Sequence, residues 1–207
     1  MITNIIPFPS IERLTCHKLK QHAKYAFYNP QTVNFRGTIK LNGAHADLIN
    51  YNSDAFIVQS CDHILDIDKD DSSGIAAFFS TRQSAIIKLF SRIKAELGTN
   101  IRIFISGVLV CSDAFVIVAK IEDAWVDMLS PIFSGLASKD HQIYNVYKQH
   151  YNVEVDMSHV SLAITKMKEV AIKTNDDFFF EFSRFADGIV WTCAEYPSNT
   201  KLWFKTK

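Results

Sequence analysis

The sequence predicts an α+β fold, in which mixed, mostly antiparallel sheets are flanked by helices. Residues 80–97 have the periodicity of an amphipathic helix, with apolar side chains on one face and a glycine at the end. Two apolar stretches, residues 101–110 and 114–121, follow as consecutive strands. Near the C-terminus, residues 188–193 and 201–206 are typical of two more strands.

The remaining elements follow in chain order. Residues 14–26 are predicted to form a short helix, and residues 33–40 and 44–51 are predicted to be strands around a turn at Asn42-Gly43. Residues 55–59 suggest a further short strand. The acidic stretch 66–73 lacks the spacing and closing Glu of a calcium-binding loop, so we expect a solvated loop there.

The second half of the chain adds one clear helix. Residues 131–152 are expected to be irregular. Apolar residues then recur at helical spacing: Val160, Ala163, Ile164, Met167, Val170 and Ala171. In the first long helix, Ser80 and Gln83 have the spacing of a capping box, which predicts that the helix begins at Ser80.

Composition limits the function classes. A chain of 207 residues with 48% hydrophobic residues can bury a sizeable core, and we expect one domain spanning residues 1–207. The formal net charge is zero, so any polyanion must meet a local basic patch. The four cysteines form no C-x-x-C pair, which argues against a zinc site. Without a signal peptide or an apolar span, the chain is expected to be cytoplasmic and not membrane-bound.

Charged residues at three strand ends suggest chemistry. Lys40 opens a K-x-x-G sequence, which by itself is more typical of an exposed edge charge than of a catalytic site. Asp187 precedes an apolar strand, and Lys205 and Lys207 lie on one face of the last strand because alternate strand residues point the same way. Two lysines on one face repel each other unless an anion lies between them. A phosphate site therefore competes with the alternative of an edge strand protected by lysines.

The order of these segments resembles the covalent nucleotidyltransferases, and most closely the RNA ligase 2-like group. Residues 40–43 match the first motif of that family, residues 187–191 match the fourth, usually Glu-Gly-Ile-Val-Trp, and residues 202–207 match the fifth. Phe115 fits the aromatic position that stacks on adenine. The resemblance covers nearly the whole chain and implies an ATP-grasp-like ligase nucleotidyltransferase domain.

The resemblance also implies a mechanism. Lys40 would attack the α-phosphorus of ATP, pyrophosphate would leave, and the AMP would pass from a lysyl-AMP to an RNA 5′-phosphate before a 3′-hydroxyl displaces it. The attacking lysine must be neutral, and neighbouring Lys205 and Lys207 would lower its pKa from about 10.4. Asp187 would hold Mg²⁺ or Mn²⁺ through water. The implied nucleotide contacts are Ile39, Lys40, Gly43, Phe115 and Lys205.

The implied partners are RNA ends, including those of a nicked duplex; the sequence says nothing of oligomeric state. The same resemblance predicts one pocket. We expect Lys40, Phe115, Asp187, Lys205 and Lys207 to surround the nucleotide.

Three departures from the family pattern favour a second interpretation. Cys61 stands where the family's Gln-Ser-Arg segment has its Arg, and the Gly-Glu-Trp of the third motif, whose Glu binds ribose, is missing after Phe104. We also expect no C-terminal nucleic-acid-binding module in this chain. The sequence thus predicts a ligase with impaired sealing, or alternatively a pseudo-ligase that binds nucleotide or RNA ends without joining them. Arg82 is out of register to replace the missing Arg.

Overall fold

The computed structural model describes residues 5–27, 30–51, 55–61, 63–69, 71–98, 101–111, 114–121, 124–125, 141–145, 150–175 and 186–207. Residues 114–121, 124–125, 144–145 and 174–175 are described by their backbone alone. The chain forms two compact units. The terminal unit comprises Pro9–Asn42 and Tyr147–Lys207, and the middle unit comprises Met1–Phe8 and Gly43–Val146.

The terminal unit combines a sheet with two helices. Its elements are β1 (Glu12–Arg13), α1 (Cys16–Ala26), β2 (Thr32–Leu41), β10 (Tyr151–Asp156), α4 (Val160–Asn175), β11 (Ala186–Cys193), a 3₁₀ helix (Thr200–Leu202) and β12 (Phe204–Thr206). In the described part of this unit the strand order is β1-β12-β11-β2-β10, and every pairing is antiparallel except β1 with β12.

Helices α1 and α4 pack against each other, and α4 also packs against β10, β11 and β12. Of the apolar residues spaced along α4, Val170 is half-buried and the others are buried, as their periodicity predicts. Trp191 and Phe204 are fully buried in the sheet. Thr15 caps α1 by accepting from Lys18 N at 3.3 Å. The predicted helix and the two C-terminal strands are therefore confirmed, with the last strand shortened by the 3₁₀ helix.

The middle unit is built on a second sheet. Its elements are β3 (Ala44–Asn50), β4 (Ile57–Gln59), β5 (Ile64–Leu65), α2 (Ile75–Ser80), α3 (Gln83–Leu97), β6 (Ile103–Val110), β7 (Ala114–Ile121), β8 (Ala124–Trp125) and β9 (Ile143–Asn145). In its described part the strand order is β5-β4-β3-β6-β7-β8, with β9 parallel to β7. The α+β class with mostly antiparallel sheets is thus confirmed.

The predicted helix 80–97 is wrong at its start. An earlier helix, α2, ends at Ser80, and α3 begins at Gln83 without a side-chain cap, so Ser80 and Gln83 do not form a capping box. The residue that caps the earlier helix lies in the acidic stretch 66–73. Asp71 accepts from Ala76 N at 2.7 Å and from Ile75 N at 3.4 Å, so it caps α2 instead of being merely solvated.

The turn at Asn42-Gly43 does not close a hairpin. Strand β2 lies between β10 and β11, whereas β3 lies between β4 and β6. Both edges of β2 are already occupied, so β3 has no edge of β2 to join. Gly43 is also absent from the glycines with positive φ among the described residues, so the type I′ geometry that Asn-Gly favours is not formed.

The stretch 131–152 is not wholly irregular, because it includes β9 and the first residues of β10; residues 131–140 and 146–149 lie outside the described part. Among the described residues, none of the helices has both the length and the apolar character needed to cross a bilayer.

Candidate active site

One carboxylate joins two lysines at the end of the terminal sheet. Lys40, next to last in β2, donates from Nζ to Asp187 Oδ2 at 2.5 Å. Lys207 Nζ lies 2.9 Å from the other oxygen, Asp187 Oδ1. The side chains of Lys40 and Asp187 are 27% and 24% exposed and that of Lys207 is 64% exposed, so this triad, Lys40-Asp187-Lys207, is open to solvent on the Lys207 side.

A glycine bulge aims Asp187 at this position. The register of β11 against β2 shifts between Ala186 and Ile189, and Gly188 has a φ of 103°. A Cβ on Gly188 would lie 1.9 Å from Thr206 O, so the neighbouring strand β12 leaves no space for a side chain. The bulge therefore needs glycine for both its backbone angle and its contact, and it places the adjacent carboxylate between the lysines.

The lysines determine the charge state of Asp187. The hydrogen bond from Lys40, followed by the one from Lys207, holds the pKa of the Asp187 carboxyl below its ordinary value of 3.8, against the opposing effect of burial. Asp187 is consequently an anion through the neutral pH range. An amine must be neutral to attack, so a lysine held by a carboxylate as Lys40 is would have to leave this pair first.

Lys205 and Ile39 lie on opposite faces of the same sheet. Lys205 pairs across the sheet with Val190, which pairs with Thr38, and Lys40 is two residues further along β2. Because alternate residues share a face, Lys205 and Lys40 lie on one face of the sheet. Ile39 lies on the other face and is 6% exposed, which leaves only its backbone for contact with a ligand.

Gly43 and Phe115 belong to the middle unit. A Cβ on Gly43 would lie 2.3 Å from Leu109 O, so the glycine of K-x-x-G allows close approach to β6 and is not needed for a left-handed turn. The backbone of Phe115 pairs with Leu109 and Ile143 in the sheet. The side chain of Phe115 lies outside the described residues, so its predicted stacking on adenine stays a prediction.

The segment that resembles Gln-Ser-Arg is partly structural. Gln59 is 1% exposed; it accepts from Ile6 N at 3.1 Å and donates to Asp47 Oδ2 at 2.9 Å. Cys61 is exposed just beyond it. The guanidinium of Arg82 lies over the Phe78 ring at 3.9 Å and donates to several backbone and side-chain acceptors, so it is committed to local structure.

Sequence reasoning missed a buried polar cluster beside this segment. Asp47 is 1% exposed, and its Oδ1 has no hydrogen bond of good geometry although His45 Nε2 lies 2.9 Å away. Ser106 Oγ approaches the same nitrogen at 3.5 Å. A Ser-His-Asp triad needs the two ring nitrogens of the histidine for different partners, so this cluster is not one. The position of Asp47 within the largely apolar stretch AHADLIN was the sequence signal that could have predicted this cluster.

The residues present fit a metal only in part. Within the described ranges there is no group of three or more His, Cys, Asp or Glu side chains that could hold a metal ion. Asp187 is a single carboxylate with both oxygens bound by lysines. Magnesium commonly keeps several waters and binds through one or two carboxylates plus substrate phosphates, so Asp187 fits a hydrated ion that arrives with a nucleotide.

Comparison with solved structures identifies the fold. The chain aligns with a lysine-to-alanine mutant of Naegleria gruberi RNA ligase R4a in its apo form, with a TM-score of 0.56 over 96% of this chain and 56% of that chain. The chain has an RNA ligase-like fold. The sequence identity is 13%, so the alignment shows the fold alone, and the chain spans little more than half the length of that ligase.

Other comparisons add little to this RNA ligase-like fold. A chain titled Pmar-Lig_Pre. aligns with a TM-score of 0.45 and 11% identity, over 89% of this chain and 44% of that one, which is too loose to support an argument. No protein-family model matches the chain. No curated protein sequence matches it either.

Proposed function

We propose that this RNA ligase-like domain, residues 1–207, is an ATP-dependent RNA ligase domain that forms a lysyl-AMP on Lys40. The observation that carries the proposal is the Lys40-Asp187-Lys207 triad, in which Lys40 and Lys207 bind opposite oxygens of one carboxylate. A phosphate group also offers several anionic oxygens, so it is suited to take the place of Asp187 between the two ammonium groups.

The chemistry assigned to Lys40 is a substitution at phosphorus. The neutral amine attacks the α-phosphorus of ATP, a P–N bond forms, the bond from the α-phosphorus to the bridging oxygen breaks, and pyrophosphate leaves with its electron pair. Lys207, and Lys205 on the same face of the sheet, stabilise the charge that gathers on the phosphate oxygens. Asp187 holds Lys40 in place before reaction and is the nearest described acceptor for its proton. Magnesium or manganese would neutralise further phosphate charge when bound.

The second half of the proposed reaction joins RNA ends. AMP passes from Lys40 to an RNA 5′-phosphate, and a 3′-hydroxyl then attacks that activated phosphate and releases AMP. We propose that this half is impaired. Strand β6 contains no carboxylate for ribose, and Cys61 offers no guanidinium for a phosphate. A lost charged hydrogen bond is worth about 1.5–3 kcal/mol, and such losses reduce the alignment of two large substrates.

The lack of a carboxylate in β6 and the presence of Cys61 in place of an arginine also favour a second candidate function. A pseudo-ligase would bind nucleotide or RNA ends at the triad without forming a covalent bond. The ion pair between Lys40 and Asp187 is compatible with it, because a lysine that carries its proton binds phosphate but does not attack it.

Covalent labelling separates the two candidates. The folded chain is incubated with α-labelled ATP and magnesium or manganese, and protein-bound label is measured after denaturation. We expect label on the wild-type chain, none on Lys40→Ala, and wild-type labelling of Lys201→Ala, which removes an exposed lysine of the same unit. No label with either metal, with reversible nucleotide binding that Lys40→Ala weakens, would support the pseudo-ligase instead.

A further inference from the structure

The two helices of the terminal unit are basic, although the net charge of the chain is zero. Together α1 and α4 carry six lysines and one acid, Glu169. Their lysines are Lys18, Lys20, Lys24, Lys166, Lys168 and Lys173, and all but half-buried Lys18 are exposed. Lys18 pairs with Glu12 at 3.1 Å. The positive charge that the whole-chain total hides is therefore concentrated on these helices.

Two of these lysines line an open groove. The groove has a volume of about 700 Å³ and lies between α1 and the junction of β10 with α4, with Lys20 and Lys24 on one side and Ser158 on the other. Met157 and Gln31, which also line the groove, are joined by a hydrogen bond from Met157 N to Gln31 O at 2.9 Å.

Lys20 and Lys24 are four residues apart on α1. Like charges at this spacing repel each other, by a few tenths of a kcal/mol in isolated helices. Among the described residues, neither lysine has a carboxylate within ion-pair distance. An anion between the two ammonium groups would relieve that repulsion.

The carboxylate in the groove, Asp156, is already occupied. Its Oδ1 accepts from Ser158 N at 2.8 Å and from Ser158 Oγ at 2.6 Å, and its Oδ2 lies 3.0 Å from His159 Nδ1. These hydrogen bonds, Ser158 first and His159 next, hold the pKa of Asp156 below its ordinary value. Asp156 therefore holds the turn that precedes α4 and leaves Lys20 and Lys24 available to a ligand.

We propose that this groove binds the phosphate backbone of single-stranded RNA. A groove suits a chain of phosphates, whereas a lipid surface is flat and would not enter it. Tyr25, in the same last turn of α1 as Lys24, is 82% exposed. Tyr25 follows Lys24 directly in the chain and is not one of the residues that line the groove. An exposed ring at this position suits an unpaired base, which stacks on it while the lysines bind the phosphates. The groove includes Thr32 at the start of β2, whereas Lys40 lies near the end of that strand, and binding in the groove does not depend on nucleotidyl transfer.

The test measures RNA binding without nucleotide or metal, so that a failure of lysyl-AMP formation leaves it unaffected. Binding of a fluorescent single-stranded RNA is followed by anisotropy over a range of salt concentrations. We expect Lys20→Ala/Lys24→Ala to weaken binding at least about tenfold at low salt and to reduce the slope of log affinity against log salt by about 1.4. Lys20→Arg/Lys24→Arg keeps both charges and should bind as the wild type does.

Matched controls separate the groove from general charge effects. Lys69→Ala/Lys88→Ala removes the same charge from exposed lysines of the middle unit and should change binding less than about twofold. Tyr25→Ala should weaken RNA binding but not binding of inorganic polyphosphate. Equal losses in the two double variants, or no loss in Lys20→Ala/Lys24→Ala, would overturn the proposal. Retention on phosphatidylserine vesicles without RNA binding would overturn it in favour of a membrane.

Discussion

Lys40 Nζ lies 2.5 Å from Asp187 Oδ2, although the two residues are 147 positions apart in the chain. Antiparallel pairing of β2 with β11 brings them to one end of the sheet, and the Gly188 bulge turns the carboxylate toward the amine. The same carboxylate holds Lys207. Asp187 thus determines where both lysines lie before any ligand arrives.

Replacing Asp187 should impair self-adenylylation. Asp187→Asn keeps the shape but removes the charge that positions Lys40 and accepts its proton, and we expect the rate of labelling with α-labelled ATP to fall at least about tenfold. Asp187→Glu keeps the charge and should retain labelling within about tenfold of the wild type. Equal rates for Asp187→Asn and the wild type would show that the pair has no part in the reaction.

Stability should depend on pH through Asp187. Its pKa is lowered in the folded state by Lys40 first and Lys207 second, so its stabilising contribution is complete above the unfolded value of about 3.8 and is lost as pH falls below that value. The free energies of unfolding of the wild type and Asp187→Asn, measured in urea, should therefore differ by a constant amount near neutral pH. The difference should shrink in acid. A difference that grew on acidification would contradict a lowered pKa of Asp187 in the folded state.

Gly188→Ala should disrupt the site by two effects that a control separates. Positive φ costs about 1–3 kcal/mol for alanine, and the added Cβ also collides with Thr206 O. Gly98 has a similar φ of 97° but nothing within 4 Å of an added Cβ. We expect Gly98→Ala to be destabilised only by backbone strain and to keep its labelling with α-labelled ATP. Gly188→Ala should unfold at a lower urea concentration than Gly98→Ala and should lose labelling. Identical behaviour of the two variants would show that the contact with β12 is unimportant.

The buried carboxylate of Asp47 should respond differently to two substitutions. Asp47→Asn keeps an acceptor for Gln59 and removes a buried charge whose Oδ1 has no hydrogen bond, so the free energy of unfolding should stay the same or rise. Asp47→Ala removes the acceptor of the Gln59 hydrogen bond and should lower the free energy of unfolding by about 1–3 kcal/mol. Chemical unfolding measures both. A large loss in Asp47→Asn alone would mean that the charge pairing with His45 stabilises the fold.

Sealing should be slower than self-adenylylation. On a nicked RNA duplex with a 5′-phosphate, we expect adenylylated RNA to accumulate and sealed product to form at least about tenfold more slowly than lysyl-AMP. Cys61→Arg should raise sealing because the site is exposed and a guanidinium binds phosphate through two parallel hydrogen bonds. Sealing by the wild type at the rate of its self-adenylylation would refute the proposed impairment.

Local patterns in the sequence determined the elements and the kinds of residue at the site. Helical spacing predicted α4, and apolar stretches predicted β6, β7 and β11. The strand-end positions of Lys40, Asp187 and Lys207 marked them as candidates. These features depend on neighbours in the chain, so the sequence alone carries them.

Only the tertiary structure decided how those elements meet. The Asn42-Gly43 pair predicts a hairpin turn, but β10 and β11 occupy both edges of β2, and the strand after the turn joins another sheet. The strand register pairs Ile39 with Ile189 and Ile189 with Thr206, and it thereby places Lys40 and Lys205 on the same face of the sheet. A bulge of one residue then directs Asp187 toward Lys40. Strand order, register and bulges arise from contacts between distant segments, and a shift of one residue moves every side chain of a strand to the other face.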